Sequence, residues 1–471
     1  MLRAYGGLRA RSPALWITLD MPPLRPFKAR SNMPTRAALS HIPGPPTPPL
    51  IGHTLKIARD SYGTQQDYIK RYGPVYKTKM LGVWRVNLCG PDALQHVLLD
   101  KDKIFSSTGG WDALRRIYPG GLILQDFDKH RQDRRILTAA FRASAIRDYR
   151  MRMGEIMLDL LQHWPKDAPF DFYEAIKDLT LRMGGAVFMG LPLDGDLAKQ
   201  INRAITDEIR ASVTPIRTAI PFTPMWRGIR GRDFLRETFR KMIPERRARG
   251  GDDFFSQMCM AKDEDGKGWS EDEILNHFNL LIMAAHDTTA TSLTVIMAAL
   301  GTHGDWQQRL IDEVDGLGDG DLDEEALGQM KETDKVFREA LRLVPPVPFI
   351  PRMATRDFHW HGYDIPAGTS LALNPGVTML SPELFSNPTQ FDPDRFAPDR
   401  AEDRIHRFAW TPFGGGAHKC IGMHFATMQV KLFIATLLRQ RRIELPGGAP
   451  EWHRMPIPKP KGGLPVLLPA R

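Results

Sequence analysis

A chain of 471 residues with 42% hydrophobic and 25% charged side chains has an ordinary globular composition, which excludes collagen, coiled coil and wholesale disorder. Three cysteines, Cys89, Cys259 and Cys420, are too few for a disulfide framework and point to a reducing compartment. The net charge of +9 is uneven: residues 1–40 carry seven cations against Asp20 alone, a net +6, and the nearly neutral remainder argues against a nucleic-acid-binding body.

Residues 1–41 form a basic N-terminal arm without the apolar core of a secretory signal. The arm reads as a disordered extension suited to touching an anionic membrane surface. Its Arg-rich, acid-poor content also matches a mitochondrial transit peptide, the alternative to a cytoplasmic location. Arg outnumbers Lys 44 to 20, as in GC-rich bacterial genomes. The proline run from Ile42 to Pro49 is a stiff lead-in, and residues 42–471 are expected to form one domain. Val75–Leu88 has the β-branched and aromatic content of a hairpin, and from about Asp126 the pattern is helical. Ser270-Glu271-Asp272-Glu273 is a capping box, and the helix it opens should run to Gly301 and Gly304, roughly 45 Å. A second helix is predicted from about Glu325 to Val344, where Pro345-Pro346 ends it. Short strands follow to Leu373, then turn-rich coil over 381–412, and a last helix from just after Cys420 to about Arg441. An uninterrupted apolar run near the roughly 18 residues of a membrane helix is missing, so a soluble body is expected.

Three local patterns carry chemistry. In Phe413-Gly414-Gly415-Gly416-Ala417-His418-Lys419-Cys420-Ile421-Gly422 a cysteine stands between a glycine-dense loop and a helix start. Backbone N–H groups and the helix dipole there should lower the thiol pKa, and Gly416 and Gly422 would admit a flat cofactor. Such a loop is equally compatible with a turn holding a buried thiol. In the long helix, Asp287-Thr288-Thr289 interrupts an apolar face, which is costly unless the groups are used. The plain alternative is a Thr hydroxyl bonding back to a carbonyl one turn earlier. Glu339 and Arg342, at i,i+3, share a helix face and can pair.

The spacing of Phe413, Gly416, His418, Cys420 and Gly422 resembles the haem-binding loop of the cytochrome P450 superfamily, the haem-thiolate monooxygenases. Glu339-Ala340-Leu341-Arg342 and Phe391-Asp392-Pro393-Asp394-Arg395-Phe396 match two further family elements in the expected order. The resemblance implies a mainly α fold with a small β-rich lobe, haem b as cofactor, and Cys420 as the proximal ligand of its iron. It implies that Glu339, Arg342 and Arg395 form a structural network. His130, Arg134, Arg352 and His418 would hold the haem propionates. Ala284-Ala285-His286-Asp287-Thr288-Thr289 resembles the oxygen-activation segment, with Asp287 relaying protons and Thr288 stabilising bound dioxygen. Ala285 stands where the family usually has Gly, and His286 is expected to point away from the haem. Cys89 and Cys259 are expected to be small buried hydrophobes.

The implied reaction is monooxygenation of a hydrophobic small molecule (terpenoid, sterol, fatty acid or aromatic), with dioxygen and two electrons giving R–OH and water. One domain of this length leaves no space for a flavin or iron–sulfur module. Electrons are therefore expected from a ferredoxin or flavodoxin with its NAD(P)H reductase. Lys129, Arg131, Arg135 and Lys419 are candidates for a basic docking patch, and a monomer without nucleic acid is expected. The rivals are an oxygen-independent or peroxide-driven enzyme of the same fold, and a non-catalytic haem sensor, which would need neither Asp287 nor Thr288.

Overall fold

Ser270 and Glu273 cap one another: the Ser270 hydroxyl accepts the Glu273 N–H at 3.3 Å, and the Glu273 carboxylate accepts the Ser270 N–H at 3.0 Å. From this box the helix Glu271–Thr302 runs 32 residues, about 48 Å, through the protein. The computed structural model describes residues 33–49, 52–139, 143–191, 195–263 and 265–471, so most of the basic arm lies outside the described residues. Helices Phe172–Met183, Pro224–Arg249, Lys331–Leu343 and Met423–Leu438 pack on the long helix. The long helix and the stretch Gly416–Leu438 are long and apolar enough to cross a membrane, although polar residues interrupt both. Most of each is covered by other helices, as core helices are.

A five-stranded sheet forms the smaller lobe, in the order Val75–Met80, Val83–Leu88, Ser370–Leu373, Ile350–Ala354, Phe105–Ser106. The expected hairpin is its first antiparallel pair. Val83–Leu88 pairs parallel with Ser370–Leu373, and this pairing ties the N-terminal lobe to the segment after Pro345-Pro346. The compact unit starts at Pro34. Leu39 is fully buried and its carbonyl accepts from the Lys77 ammonium, so the chain joins the core ahead of the proline run at Ile42.

The helix predicted from about Glu325 to Val344 is two helices, Glu324–Gln329 and Lys331–Leu343. Each has its own cap. Asp323 accepts the Ala326 N–H at 2.9 Å, and the distant Glu313 carboxylate accepts the N–H groups of Glu332 and Thr333 at 2.6 and 3.0 Å. Met330, fully buried at ψ 78°, makes the break. The last helix is Met423–Leu438, slightly shorter than predicted at both ends.

Coil replaces regular structure between Thr378 and Met423, apart from short 3₁₀ turns, and it is held by charge. Glu339, Arg342 and Arg395 are all fully buried. Arg342 donates twice to the Glu339 carboxylate at 2.7 and 2.8 Å, and Arg395 donates to it at 3.1 Å. The Asp392 N–H also binds Glu339, while Arg342 reaches the carbonyls of Met379 and Pro388. Arg395 finds a second acid, Glu402, at 2.7 Å. Glu339→Ala should therefore leave the buried Arg342 without an acid and Arg395 with Glu402 alone, and lower stability by roughly 3–5 kcal/mol in denaturant unfolding. Glu237→Ala, which removes the exposed pair with Lys241, should cost less than about 1 kcal/mol. Equal effects would deny the network its structural role.

Candidate active site

The cysteine loop is built by close backbone approach. Gly416 sits at φ 62°, and a Cβ there would fall 1.8 Å from the Leu98 carbonyl oxygen. Its glycine is thus required by packing on the preceding helix Pro91–Leu99 rather than by a cofactor. Gly422 is the opposite case: a Cβ there would meet nothing within 4 Å, so open space lies beside it. The Cys420 N–H donates to the Phe413 carbonyl at 2.9 Å and closes the loop, and the Phe413 ring leans edge-on against Phe337 and Trp410. Cys420 is exposed, whereas Cys89 and Cys259 are buried, with thiols that burial pushes up to about 12. The Cys420 thiol also stands above its ordinary value. Protein crowded around the accessible sulfur raises it, and this outweighs the Gly422 N–H and Arg134, which pull it down. The loop geometry alone does not make a thiolate, contrary to the expectation from sequence.

Helix Phe127–Ala139 brings His130 and Arg134 to this loop. The His130 and His418 rings stack with centroids 3.7 Å apart. Burial, reinforced by neighbouring guanidinium groups, holds His130 at about 4 and His418 lower still, so both imidazoles are neutral at pH 7 and supply N–H groups rather than charge. The charge comes from Arg134 and Arg352. Arg352 lies on the strand Ile350–Ala354, is nearly fully buried, and is held down to about 10 by that burial. Its side chain donates to the Pro351 carbonyl at 2.9 Å; neither arginine has a carboxylate within ion-pair distance among the described residues, and Asp126 and Asp100 act on Arg352 only from further off. Two guanidinium groups without a contacting carboxylate, two imidazoles, an exposed cysteine and the space beside Gly422 suit a flat group with two carboxylates. Haem fits this donor set.

A second wall comes from the long helix. Ala284 is exposed in mid-helix, and Thr288 is half-buried one turn on, so the helix borders open space there. The Thr288 hydroxyl donates to the Ala284 carbonyl at 2.7 Å, the back-bond anticipated as the plain alternative, which leaves its lone pairs as acceptors. Asp287 is buried, and desolvation raises its carboxyl to about 6, against a weaker pull from Lys177. His286 turns to helix Phe172–Met183, where its Nδ1 lies 2.9 Å from the Thr180 hydroxyl. Thr289 and Gln429 connect this turn to the helix that follows Cys420.

Sequence reasoning missed Asp133. This fully buried carboxylate takes hydrogen bonds from Lys129 at 2.9 Å and Trp269 at 3.1 Å, and also from Gln125, with His277 Nε2 at 3.0 Å. Burial would raise it, but the bonds from His277 and Lys129 hold it far below the usual carboxylate range. Asp133 fixes the His130–Arg134 helix to the start of the long helix. Lys129 is therefore not a free docking cation: it bridges Asp133 and Glu273. Arg131 and Lys419 are exposed as a docking patch requires.

A cradle of this kind under a long polar-interrupted helix defines a haem-thiolate protein. The sequence model for cytochrome P450 matches residues 42–463. The chain is 37% identical over 449 residues to the protein named cytochrome P450 136 of Mycobacterium tuberculosis, covering 94% of this chain and 91% of that one. It is 28% identical to the cyclooctat-9-en-7-ol 5-monooxygenase of Streptomyces melanosporofaciens, covering 96% and 95% of the two chains. A retinoic-acid-bound cyanobacterial P450, CYP120A1, superposes with a TM-score of 0.83 at 28% identity, over 91% of this chain and 99% of that one. The chain belongs to the cytochrome P450 family, whose monooxygenases use haem b, dioxygen and electrons from a redox partner.

The buried Asp287 makes a pH prediction. Because its folded value, about 6, exceeds the ordinary 3.8, the folded state binds the proton more tightly. Stability is unaffected well below pH 4, falls as pH rises through that window, and levels off above about 6. Asp287→Asn should remove this fall, making the variant more stable than the parent at about pH 7.5 by up to about 3 kcal/mol and equal to it near pH 4. Denaturant unfolding at the two pH values measures it; a variant less stable at the higher pH would contradict the desolvated carboxyl.

Proposed function

We propose that this protein hydroxylates a hydrophobic small molecule of terpenoid or retinoid-like character. Cys420 would ligate the haem iron, with Phe413 and Gly422 flanking it. Arg134 and Arg352 would neutralise the two propionates, and His130 and His418 would donate N–H groups to them. Haem, when bound, supplies dioxygen activation and the oxidation of a substrate C–H bond. The observation that carries the reading is the pair of guanidinium groups, neither with a carboxylate in direct contact among the described residues, in the cradle of the one exposed cysteine.

The chain's own residues would handle the protons. Asp287, with its carboxyl at about 6, can hold or release a proton near neutral pH. The Thr288 hydroxyl donates its own hydrogen to Ala284 and so presents lone pairs that can accept a hydrogen bond and hold a proton donor in place. A non-catalytic sensor has no need of a desolvated carboxyl beside that hydroxyl. Electrons would come from a ferredoxin or flavodoxin approaching Arg131 and Lys419. The substrate class is supported by relatives: besides the cyclooctatenol enzyme, a pentalenene oxygenase of Streptomyces avermitilis is 28% identical over 84% of this chain and 89% of its own. The retinoic acid in the structural neighbour points the same way.

Thr288→Ala tests the assignment. Substrate should still shift the haem spin state and reduced cofactor should still be consumed, but product per electron pair should fall about tenfold or more while peroxide rises. Asp287→Asn should slow turnover itself. Full coupling in Thr288→Ala would assign the proton step to another group.

A further inference from the structure

Arg85, on the strand Val83–Leu88, is a cation that the fold leaves unmatched. It is half-buried, and its Nε is sealed from water without a hydrogen-bond partner. Its guanidinium enters no hydrogen bond or ion pair among the described residues. Desolvation lowers its pKa, and no acid acts on it even from a distance, in contrast to Arg352. Arginine stays charged at such a site, so a desolvated cation here lacks its counter-charge. A side chain crowded enough to be desolvated and still partly exposed borders a recess rather than open surface.

The register of the sheet fixes what stands beside it. Arg85 pairs with Ser370 and Ser370 with Met353, so the three form a row on one face, with strands roughly 4.8 Å apart. On the other side Arg85 pairs with Thr78, whose hydroxyl already accepts from the Asn87 amide at 2.9 Å. The Ser370 hydroxyl is half-buried and enters no hydrogen bond among the described residues. Arg352 lies in the next row, Val86–Leu371–Arg352, and therefore faces the opposite side. Arg85 is thus outside the propionate cradle. Met353 is half-buried, and its strand begins at Ile350, whose Cδ1 would lie 3.7 Å from a Cβ on Gly414 in the cysteine loop. The strip from Arg85 to the edge of the cradle is polar at one end and apolar beyond it.

We propose that Arg85 and Ser370 bind the carboxylate of an amphipathic acid whose apolar body runs over Met353 toward the haem pocket. The guanidinium offers a carboxylate two parallel N–H donors, and the hydroxyl offers a third. A neutral alcohol would use one donor and leave the charge uncompensated, and a diphosphate would bring more negative charge than one cation can match. The direction of the apolar body rests on the proposed function; the carboxylate site does not. Together they make the substrate a terpenoid or retinoid-like acid, oxidised at a carbon far from its carboxylate.

The test is equilibrium dialysis, beside haem spin-state titration, of the haem-loaded protein with geranylgeranic acid and geranylgeraniol, which differ only in the terminal group. At about pH 7.5 the parent should hold the acid at least about tenfold more tightly than the alcohol. R85Q should weaken the acid by roughly 30-fold and leave the alcohol within about twofold, and R85K should recover part of the loss. S370A should weaken the acid by roughly fivefold. Because Arg85 gives up no partner, R85Q should keep or raise the unfolding midpoint. A lowered midpoint with both ligands weakened alike would make Arg85 structural and overturn the proposal. Equal affinity of the parent for acid and alcohol, an acid preference that survives in R85Q, or no uptake of the acid in dialysis would overturn it too. Acid held through Arg85 without a spin-state shift would uphold the carboxylate site and count against the proposed function instead.

Discussion

Glu339 lies where water cannot reach, and two arginines from different parts of the chain converge on it. Three ionised groups inside a protein are tolerable only when they compensate one another, and here each donor and acceptor is used. The consequence is positional. Arg342 belongs to a helix and Arg395 to coil that has no ladder of its own, so their shared acceptor anchors the irregular segment that leads to the cysteine loop. The same rule, applied in reverse, marks the site. Arg134 is a half-buried and Arg352 a buried cation with no carboxylate in direct contact among the described residues, although Asp126 and Asp100 act on Arg352 from a distance, and an anionic ligand would complete both.

Features set by short spacing were legible in the sequence. The capping box at Ser270, the Glu339–Arg342 pair and the loop before Cys420 are decided within a few residues, so spacing and structure agree. Features set by distant partners were not. Asp133 draws Trp269 and His277 from more than 130 residues away, Glu402 completes Arg395 across a turn of coil, and Glu313 caps a helix from nineteen residues away, and none of these leaves a local pattern. The break at Met330 escaped for that reason. The elevated Cys420 thiol and the neutral His130–His418 stack escaped because burial, which sequence does not show, outweighs the local charges.

The two halves of the site differ in firmness. The Asp133 cluster ties the helix carrying His130 and Arg134 to the long helix, and the sheet places Arg352, so the cradle is positioned by the protein's own bonds. The opposite wall is softer in chemistry: a carboxyl at about 6, a back-bonded hydroxyl and an imidazole turned aside to Thr180. A cradle fixed by buried bonds on one side and a titratable wall on the other suit a cofactor whose chemistry needs both orientation and protons.

Everything in this account passes through one sulfur atom. Thiolate ligation gives a strongly red-shifted ferrous–CO band, so the decisive measurement is that spectrum for Cys420→Ser beside Cys89→Ser and Cys259→Ser. The band should vanish in the first variant and persist in the other two. A Cys420→Ser protein that kept it would contradict the central claim.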